Sequence, residues 1–191
     1  MYQLDQNVQE NAGNYFTVGI HENVTLKDVT LETASNGNPY IKFLFVGEGG
    51  EEVFHTEFGA DPTRDDFQKK LKNFLIRIKH ICTKFVPEAA VNINAPTLEA
   101  FATQLSAILK PNLPKTKVRL KLVFNNKNYP SVPMYVPFIE AMAIPKTESK
   151  LKLDPNFDKL VKEEGSNPTL SAGTPGVGTL PAGGVDPNLP F

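Results

Sequence analysis

Residues 15–33 read Tyr-Phe-Thr-Val-Gly-Ile-His-Glu-Asn-Val-Thr-Leu-Lys-Asp-Val-Thr-Leu-Glu-Thr, which has the length and the alternation of a long β-strand. Apolar residues alternate with polar ones at Phe16, Val18 and Ile20 and again at Val24 and Leu26, and the alternation then slips by one position to Val29 and Leu31. A slip of this kind is typical of a β-bulge, which bends a strand and lets it serve a curved sheet. We therefore predict that the fold starts with one long, bulged strand.

Two turn sequences divide the next part of the chain, Ser-Asn-Gly-Asn-Pro at 35–39 and Gly-Glu-Gly-Gly at 47–50. Beyond residue 58 the apolar spacing changes from every second residue to every third or fourth, which is typical of a helix. Alternation resumes near residue 116, and prolines interrupt the last apolar stretch. The predicted elements are strands over 40–46 and 52–58, helices over 65–85 and 97–109, a strand over 116–124 and a bulged or edge strand over 132–144.

Three strands, a helical insertion and two further strands form the order of the OB-fold, a small five-stranded barrel. The predicted fold is therefore mainly β, with residues 1–150 as the barrel domain and a helical insertion at 64–110 between strands 3 and 4. A short helix is expected over 151–164, where Asp154 can cap and Pro155 suits the first helical position. Residues 165–191 contain 6 Gly and 5 Pro, so we expect a flexible tail.

The formal net charge of −1 conceals an uneven distribution along the chain. Residues 63–84 carry 7 basic against 2 acidic side chains, which gives +5, and residues 110–152 carry 9 against 2, which gives +7. A polyanion would meet these two basic blocks first. The alternative is that acidic and basic blocks neutralise each other within the fold.

Composition excludes several classes of protein. The single cysteine, Cys82, leaves no disulfide within the chain and no multi-cysteine zinc site. We find no secretory signal at the start and no stretch near the roughly 18 apolar residues of a membrane span, so we expect a soluble, cytoplasmic protein that does not bind membranes. His21, His55 and His80 lack metal-ligand spacing. We expect no enzyme activity, no cofactor and no metal.

The strongest functional signal is a row of basic residues on one predicted strand, Lys115, Lys117, Arg119 and Lys121. Side chains two residues apart lie on one strand face roughly 6.5–7 Å from each other, so one row could neutralise several phosphates of an extended single strand. The alternative is an ordinary solvated face.

Aromatic residues near the predicted strand surfaces supply the second half of the hypothesis. Bases stack on exposed aromatic rings whatever their identity. Either base stacking or packing of the barrel explains these rings, and Lys42 on the same strand could hold a phosphate. The candidate DNA-binding aromatics are Tyr40, Phe54, Tyr129 and Tyr135. On the first predicted helix, Lys70, Arg77 and Lys84 are expected to extend the DNA path or to contact a neighbouring protomer in a homo-oligomer.

The strand order, the segment 36–43 (Asn-Gly-Asn-Pro-Tyr-Ile-Lys-Phe) and the Gly/Pro-rich tail together resemble single-stranded DNA-binding proteins, particularly those encoded by bacteriophages. The resemblance implies sequence-nonspecific binding and protection of single-stranded DNA in replication and recombination. The last six residues resemble the acidic tip of the bacterial family, although this tip has one acid rather than several. In that family the tip docks on replication and repair proteins, a role that here would fall to Asp186, Leu189, Pro190 and Phe191. The alternative is a phage structural or protein-interaction module on the same barrel that does not bind nucleic acid.

Overall fold

A computed structural model describes residues 14–162. Within this range the chain forms six strands, two α-helices and three single turns of 3₁₀-helix. The strands are β1 (Gly19–Thr33), β2 (Pro39–Val46), β3 (Glu52–Phe58), β4 (Lys117–Phe124), β5 (Pro130–Ser131) and β6 (Ile139–Ala141). The helices are α1 (Phe67–Cys82) and α2 (Leu98–Leu109), and the 3₁₀ turns are Glu88–Ala90, Lys110–Asn112 and Lys146–Glu148. The helical insertion lies between strands 3 and 4, as predicted.

The strands form one antiparallel sheet in the order β3-β2-β1-β4-β5, and β6 also pairs with β4. The pairing of β1 with β2 shifts register between Leu26 and Asp28, which confirms the predicted bulge. A second irregularity faces β4 between His21 and Val24, where Asn23 has a positive φ of 58°. The long first strand therefore bends twice and serves both halves of the sheet.

The ladders of the described residues give an open sheet, with β3 at one end and β5 at the other. A mainly β fold with a helical insertion is thus confirmed, whereas closure into a five-stranded barrel is not. Alternate residues of every long strand face a common core that includes Phe43, Phe45 and Leu120. Both helices cover this core, and the rings of Phe74 and Phe101 join α1 to α2 at 5.6 Å between centroids.

Two local predictions hold at the level of single side chains. The Thr97 hydroxyl accepts the backbone N–H of Ala100 at 3.2 Å, so it caps α2 as expected. Cys82 is fully buried at the end of α1, and burial raises the pKa of its thiol to about 12. It behaves as a small apolar residue of the core. No helix among the described residues is long and apolar enough to cross a bilayer.

The chain after β4 departs from the prediction in two places. The bulged or edge strand predicted over 132–144 is reduced to β6, while β5 lies just before that range and Pro133 and Pro137 stand between the two short strands. The helix predicted over 151–164 is wrong as far as residue 162, because residues 151–162 run beside β4 as an irregular segment with one turn, here named the strap. The buried Asp158 carboxylate accepts the N–H of Asp154 at 2.7 Å and fixes that turn. The predicted tail at 165–191 lies outside the described residues.

Candidate nucleic-acid interface

The outer surface of β2 and β3 carries the largest group of predicted DNA-binding residues. Ile41, Phe43 and Phe45 point into the core, so the alternate residues of β2 point outward. The register places Tyr40 opposite Phe58, and Leu44 opposite Phe54. We call this surface the hairpin face, and its members are Tyr40, Lys42, Phe54 and Phe58.

Aromatic rings and a cation are in direct contact on the hairpin face. The Lys42 Nζ lies 4.1 Å from the centroid of the Phe54 ring, and the rings of Tyr40 and Phe58 are 5.1 Å apart. Phe54 is 45% exposed and Phe58 is 48% exposed. Each Phe therefore offers an open surface on which a base could stack. Sequence reasoning missed Phe58, although it is an even number of residues from Phe54 and so shares its face.

One carboxylate, that of Glu32 on β1, holds the polar groups of the hairpin face. It accepts hydrogen bonds from the Tyr40 hydroxyl at 2.7 Å and from the Lys42 Nζ at 3.0 Å. The bonds from Tyr40 and then Lys42 lower the pKa of Glu32, and the same carboxylate raises the pKa of Tyr40. A phosphate that binds Lys42 would therefore have to compete with Glu32.

The basic row on β4 is divided by the fold. Lys117 is exposed and pairs with Glu48 at 2.7 Å, and Lys115 is exposed just before the strand. Arg119 is only 5% exposed. Its guanidinium binds Glu140 of β6 at 2.7 Å, Glu22 of β1 at 3.0 Å and the carbonyl of Ile144 at 2.8 Å. Arg119 thus has a complete set of partners within the fold.

Lys121 is also buried, at 5% exposed, and it binds the strap. Its Nζ lies 2.7 Å from the Asp158 carboxylate, 2.9 Å from the carbonyl of Lys152 and 5.1 Å from the centroid of the Tyr135 ring. The expectation of an accessible four-residue row is therefore wrong for Arg119 and Lys121. The physical reason is that the strands paired with β4 place Glu140 of β6 and Glu22 of β1 beside Arg119, while the strap covers Lys121 and supplies Asp158.

Tyr135 is partly exposed, but its hydroxyl donates a hydrogen bond to Asp158. Burial and then this bond raise the pKa of Tyr135. Burial on its own would raise the pKa of Asp158, yet the bonds from Lys121 and Tyr135 outweigh it and the pKa lies below its usual value. Tyr129 differs, because its ring is 67% exposed at the turn between β4 and β5.

The predicted basic stripe of α1 is also divided. Lys70 is exposed and pairs with Asp66 at 3.2 Å, and Lys84 is half-buried beyond the end of α1. Arg77 binds both carboxylate oxygens of Glu57, at 2.5 and 2.7 Å. Its expected role as a DNA or protomer contact is therefore contradicted, because it joins α1 to β3.

Glu57 is fully buried beneath that contact and also bonds His55 at 2.8 Å. Burial alone would raise the pKa of Glu57, but the hydrogen bonds from Arg77 and His55 hold it below its usual value. A buried charge with this many partners is a structural connection between sheet and helix. The Nε and Nη2 donors of Arg77 are engaged by this buried carboxylate, with which a phosphate would have to compete.

The remaining candidate features are potential metal ligands and the C-terminal tip. Residues 14–162 contain no group of three or more His, Cys, Asp or Glu side chains placed to hold a metal ion. The predicted partner-binding tip, Asp186, Leu189, Pro190 and Phe191, lies outside the described residues. A scan against protein-family models and a search of curated proteins both find no match for the chain.

Proposed function

We propose that the protein binds single-stranded DNA without sequence preference and coats it during replication or recombination. The observation that carries the proposal is the pair of open rings, Phe54 and Phe58, beside Lys42 on one sheet face. Four residues separate the two rings along β3, which corresponds to about 13 Å. Rings in line at that spacing suit bases of one extended strand, and stacking on them is indifferent to base identity.

The proposal includes closure of the sheet into an OB-fold barrel. Closure is supported by contact between β3 and β5, the strands at the two ends of the sheet order β3-β2-β1-β4-β5. A barrel closed there would keep the hairpin face on its outer surface. Docking of the tip residues 186–191 on replication or recombination proteins is proposed from the resemblance alone.

A second candidate function is a protein-interaction module, and one observation favours it. An apolar groove of about 460 Å³ lies between α1, α2 and the loop before α2, lined by residues that include Leu71, Phe74, Leu98 and Phe101. Leu75 borders this groove and is 43% exposed. Apolar surface of this kind is typical of a site that meets another protein. This function predicts that the chain ignores DNA and that Leu75→Ala weakens an assembly seen by light scattering.

The proposed function is tested by fluorescence anisotropy with a labelled oligo-dT at about 50 and about 200 mM salt. If about three phosphates are neutralised, affinity should fall roughly 20-fold between these salt concentrations. Replacement of both Phe54 and Phe58 by Ala should weaken binding at least about fivefold for each lost ring. Leu75→Ala is the matched control, because Leu75 has a similar exposure on α1. Absence of binding at low salt would end the proposal.

A further inference from the structure

We propose that the bound strand continues over a second surface, built by the strap and the turn between β4 and β5. This inference rests on the proposed function and adds the part of the site that lies beyond the hairpin face. We call the surface the strap face. Its members are the exposed side chains Tyr129, Phe157 and Val161 and the cations Lys127, Lys152 and Lys162.

The apolar members of the strap face are unusually open to solvent. Phe157 is 78% exposed and Val161 is 77% exposed, and Tyr129 is nearly as open. Surface phenylalanine at this exposure gives up the free energy that its burial would provide, unless a partner covers it. An aromatic ring that is free on its flat side is what a nucleobase stacks on.

Contacts of the neighbouring residues hold the Phe157 side chain outward. The neighbouring Asp158 is 4% exposed and points into the sheet, where it binds Lys121 and Tyr135. The N–H of Phe157 also donates to the carbonyl of Asp154 at 3.0 Å. With Asp158 buried and Phe157 open, these two adjacent side chains lie on opposite sides of the turn.

The lysines of the strap face have no acidic partner among the described residues. Lys127, Lys152 and Lys162 form no ion pair with any side chain in the part of the chain that is described, which they share with other surface lysines such as Lys110, whereas Lys42 pairs with a glutamate. The negative charge of Asp158 is matched by Lys121. The strap face therefore has three such lysines against one half-buried carboxylate, Asp154, that pairs with no cation of the described residues, and a polyanion complements this excess of positive charge.

Hydrogen bonds join the parts of the strap face into one surface. The N–H of Phe124 donates to the carbonyl of Lys159 at 2.8 Å, and Lys162 Nζ lies 5.8 Å from the Phe124 ring. Directly after Phe124, the N–H of Asn125 donates to the carbonyl of Tyr129 at 2.9 Å. The strap and the turn that carries Tyr129 thus meet at the end of β4.

Open rings beside unpaired lysines favour a single strand over two other occupants. In a duplex the bases are stacked on each other, so only phosphates could be reached and the rings would gain nothing. An apolar protein partner would bury the lysines without counter-charge, which carries a desolvation cost. Single-stranded DNA satisfies both the rings and the lysines.

The test uses the full chain with Phe157→Ala and, separately, Lys152→Gln together with Lys162→Gln. On a long oligo-dT, Phe157→Ala should lower affinity at least about fivefold. The double lysine variant should reduce the slope of log affinity against log salt by about 1.4, since each lost phosphate contact removes about 0.7. Lys110→Gln, an exposed lysine at the end of α2, is the matched control and should leave both quantities unchanged.

Combination with Phe54→Ala distinguishes one continuous path from two separate sites. Along one path, Phe54→Ala and Phe157→Ala each weaken binding strongly and their effects add on the long strand. Two independent sites would overturn the inference, because loss of either would cost only about twofold and saturation would need two strands. Equal losses for duplex and single-stranded DNA would also overturn it.

The failure of the inference is distinguishable from failure of the proposed function. If Phe54→Ala weakens binding and the strap variants match the wild-type chain, the hairpin face stands and the strap face falls. If the wild-type chain does not bind oligo-dT at low salt, the proposed function itself falls. The urea midpoint checks folding, and it should not move because Phe157 is exposed.

Discussion

The hairpin face and the basic row of β4 were both predicted to bind DNA, but the fold leaves the hairpin face exposed and buries two residues of the basic row. Both surfaces lie on antiparallel strands that carry cations, Lys42 on β2 and Lys117, Arg119 and Lys121 on β4. On β3 the alternate residues Phe54 and Phe58 remain open to solvent. On β4 the alternate residues Arg119 and Lys121 are buried and paired with acidic side chains.

The difference between the two surfaces lies in the acidic residues that neighbouring segments place beside their cations. β6 and the strap lie against β4, and they bring Glu140 and Asp158 to its cations. Within residues 14–162, no comparable segment brings acidic side chains to Phe54 and Phe58 of β3, and Lys42 of the neighbouring strand β2 forms its ion pair with Glu32 of β1. Alternation therefore shows which side chains share a face, but it does not show whether a distant segment covers that face.

The largest effect is expected from Lys121→Met, which keeps the length of the side chain and removes its charge. Asp158 would then be buried without its cation, and we expect a loss of about 3–5 kcal/mol in the free energy of unfolding. Urea denaturation followed by circular dichroism measures it. Lys117→Met on the same strand is the control, and its exposed pair with Glu48 should be worth at most about 1 kcal/mol.

The same variant can break the comparison. A phosphate ligand at position 121 would leave stability unchanged and reduce the salt slope of DNA binding by about 0.7. If Lys121 instead anchors the strap, Lys121→Met lowers stability and leaves the salt slope of DNA binding unchanged. If Lys121→Met behaves as a lost phosphate ligand, the row on β4 is a DNA surface and its burial is not a barrier.

The next prediction concerns the free energy of unfolding at acid pH and the contact between α1 and β6. His80 of α1 accepts the backbone N–H groups of Phe138 at 3.3 Å and, more weakly, Ile139 at 3.5 Å, which join it to β6. Burial, and then the charge of Lys84, lower the pKa of His80 to about 4 from 6.5. The folded state binds this proton less readily than the unfolded state, so stability is complete above about pH 6.5 and falls between pH 6.5 and 4.

The expected loss through His80 is about 3 kcal/mol by pH 4. Hydrogen exchange should show Ile139 of β6 losing protection with falling pH before Phe43 of the hairpin does. His80→Gln keeps a polar side chain without the titration, and its stability should change less between pH 6.5 and 5. Identical pH profiles for the two proteins would contradict the assignment.

How far sequence reasoning reached depended on the range of the interactions involved. The bulge after Leu26 and the cap at Thr97 were predictable, because each depends on residues that are close together in the sequence. The contacts of Arg119 with Glu140 and of Arg77 with Glu57 join residues 21 and 20 positions apart, and no local pattern identifies such partners. The turn at Asp158 was read as a helix for the same reason, since its anchor is Lys121 on a distant strand.

Candidate DNA-binding residues followed the same rule. Tyr40, Lys42 and Phe54 share one open surface, as alternation on short paired strands allows one to predict. The spacing of Phe157, Leu160 and Val161 suits the apolar stripe of the short helix expected over 151–164. The strap turns that ring outward instead, since burial of the adjacent Asp158 fixes the turn.

The smallest effect is expected at Glu32, the one acid that binds both polar groups of the hairpin face. Glu32→Gln keeps the size of the side chain and removes the charge that competes with phosphate for Lys42. Affinity for oligo-dT should rise about twofold to fivefold, and the salt slope should steepen by about 0.7 as Lys42 gains a phosphate. The measurement is the same anisotropy titration, and Glu88→Gln, which releases Lys79 on α1, is the matched control.

The sign of the change at Glu32 decides between two roles for this carboxylate. If Glu32 competes with DNA, its neutralisation frees Lys42 and strengthens binding. If Glu32 instead positions Tyr40 and Lys42 for the strand, neutralisation weakens binding, and Tyr40→Phe, which loses the same hydrogen bond, should weaken it by a similar factor. Only stronger binding by Glu32→Gln agrees with the comparison drawn above. On the open hairpin face a phosphate can displace Glu32 from Lys42, whereas on β4 Glu140 and Asp158 are buried with Arg119 and Lys121.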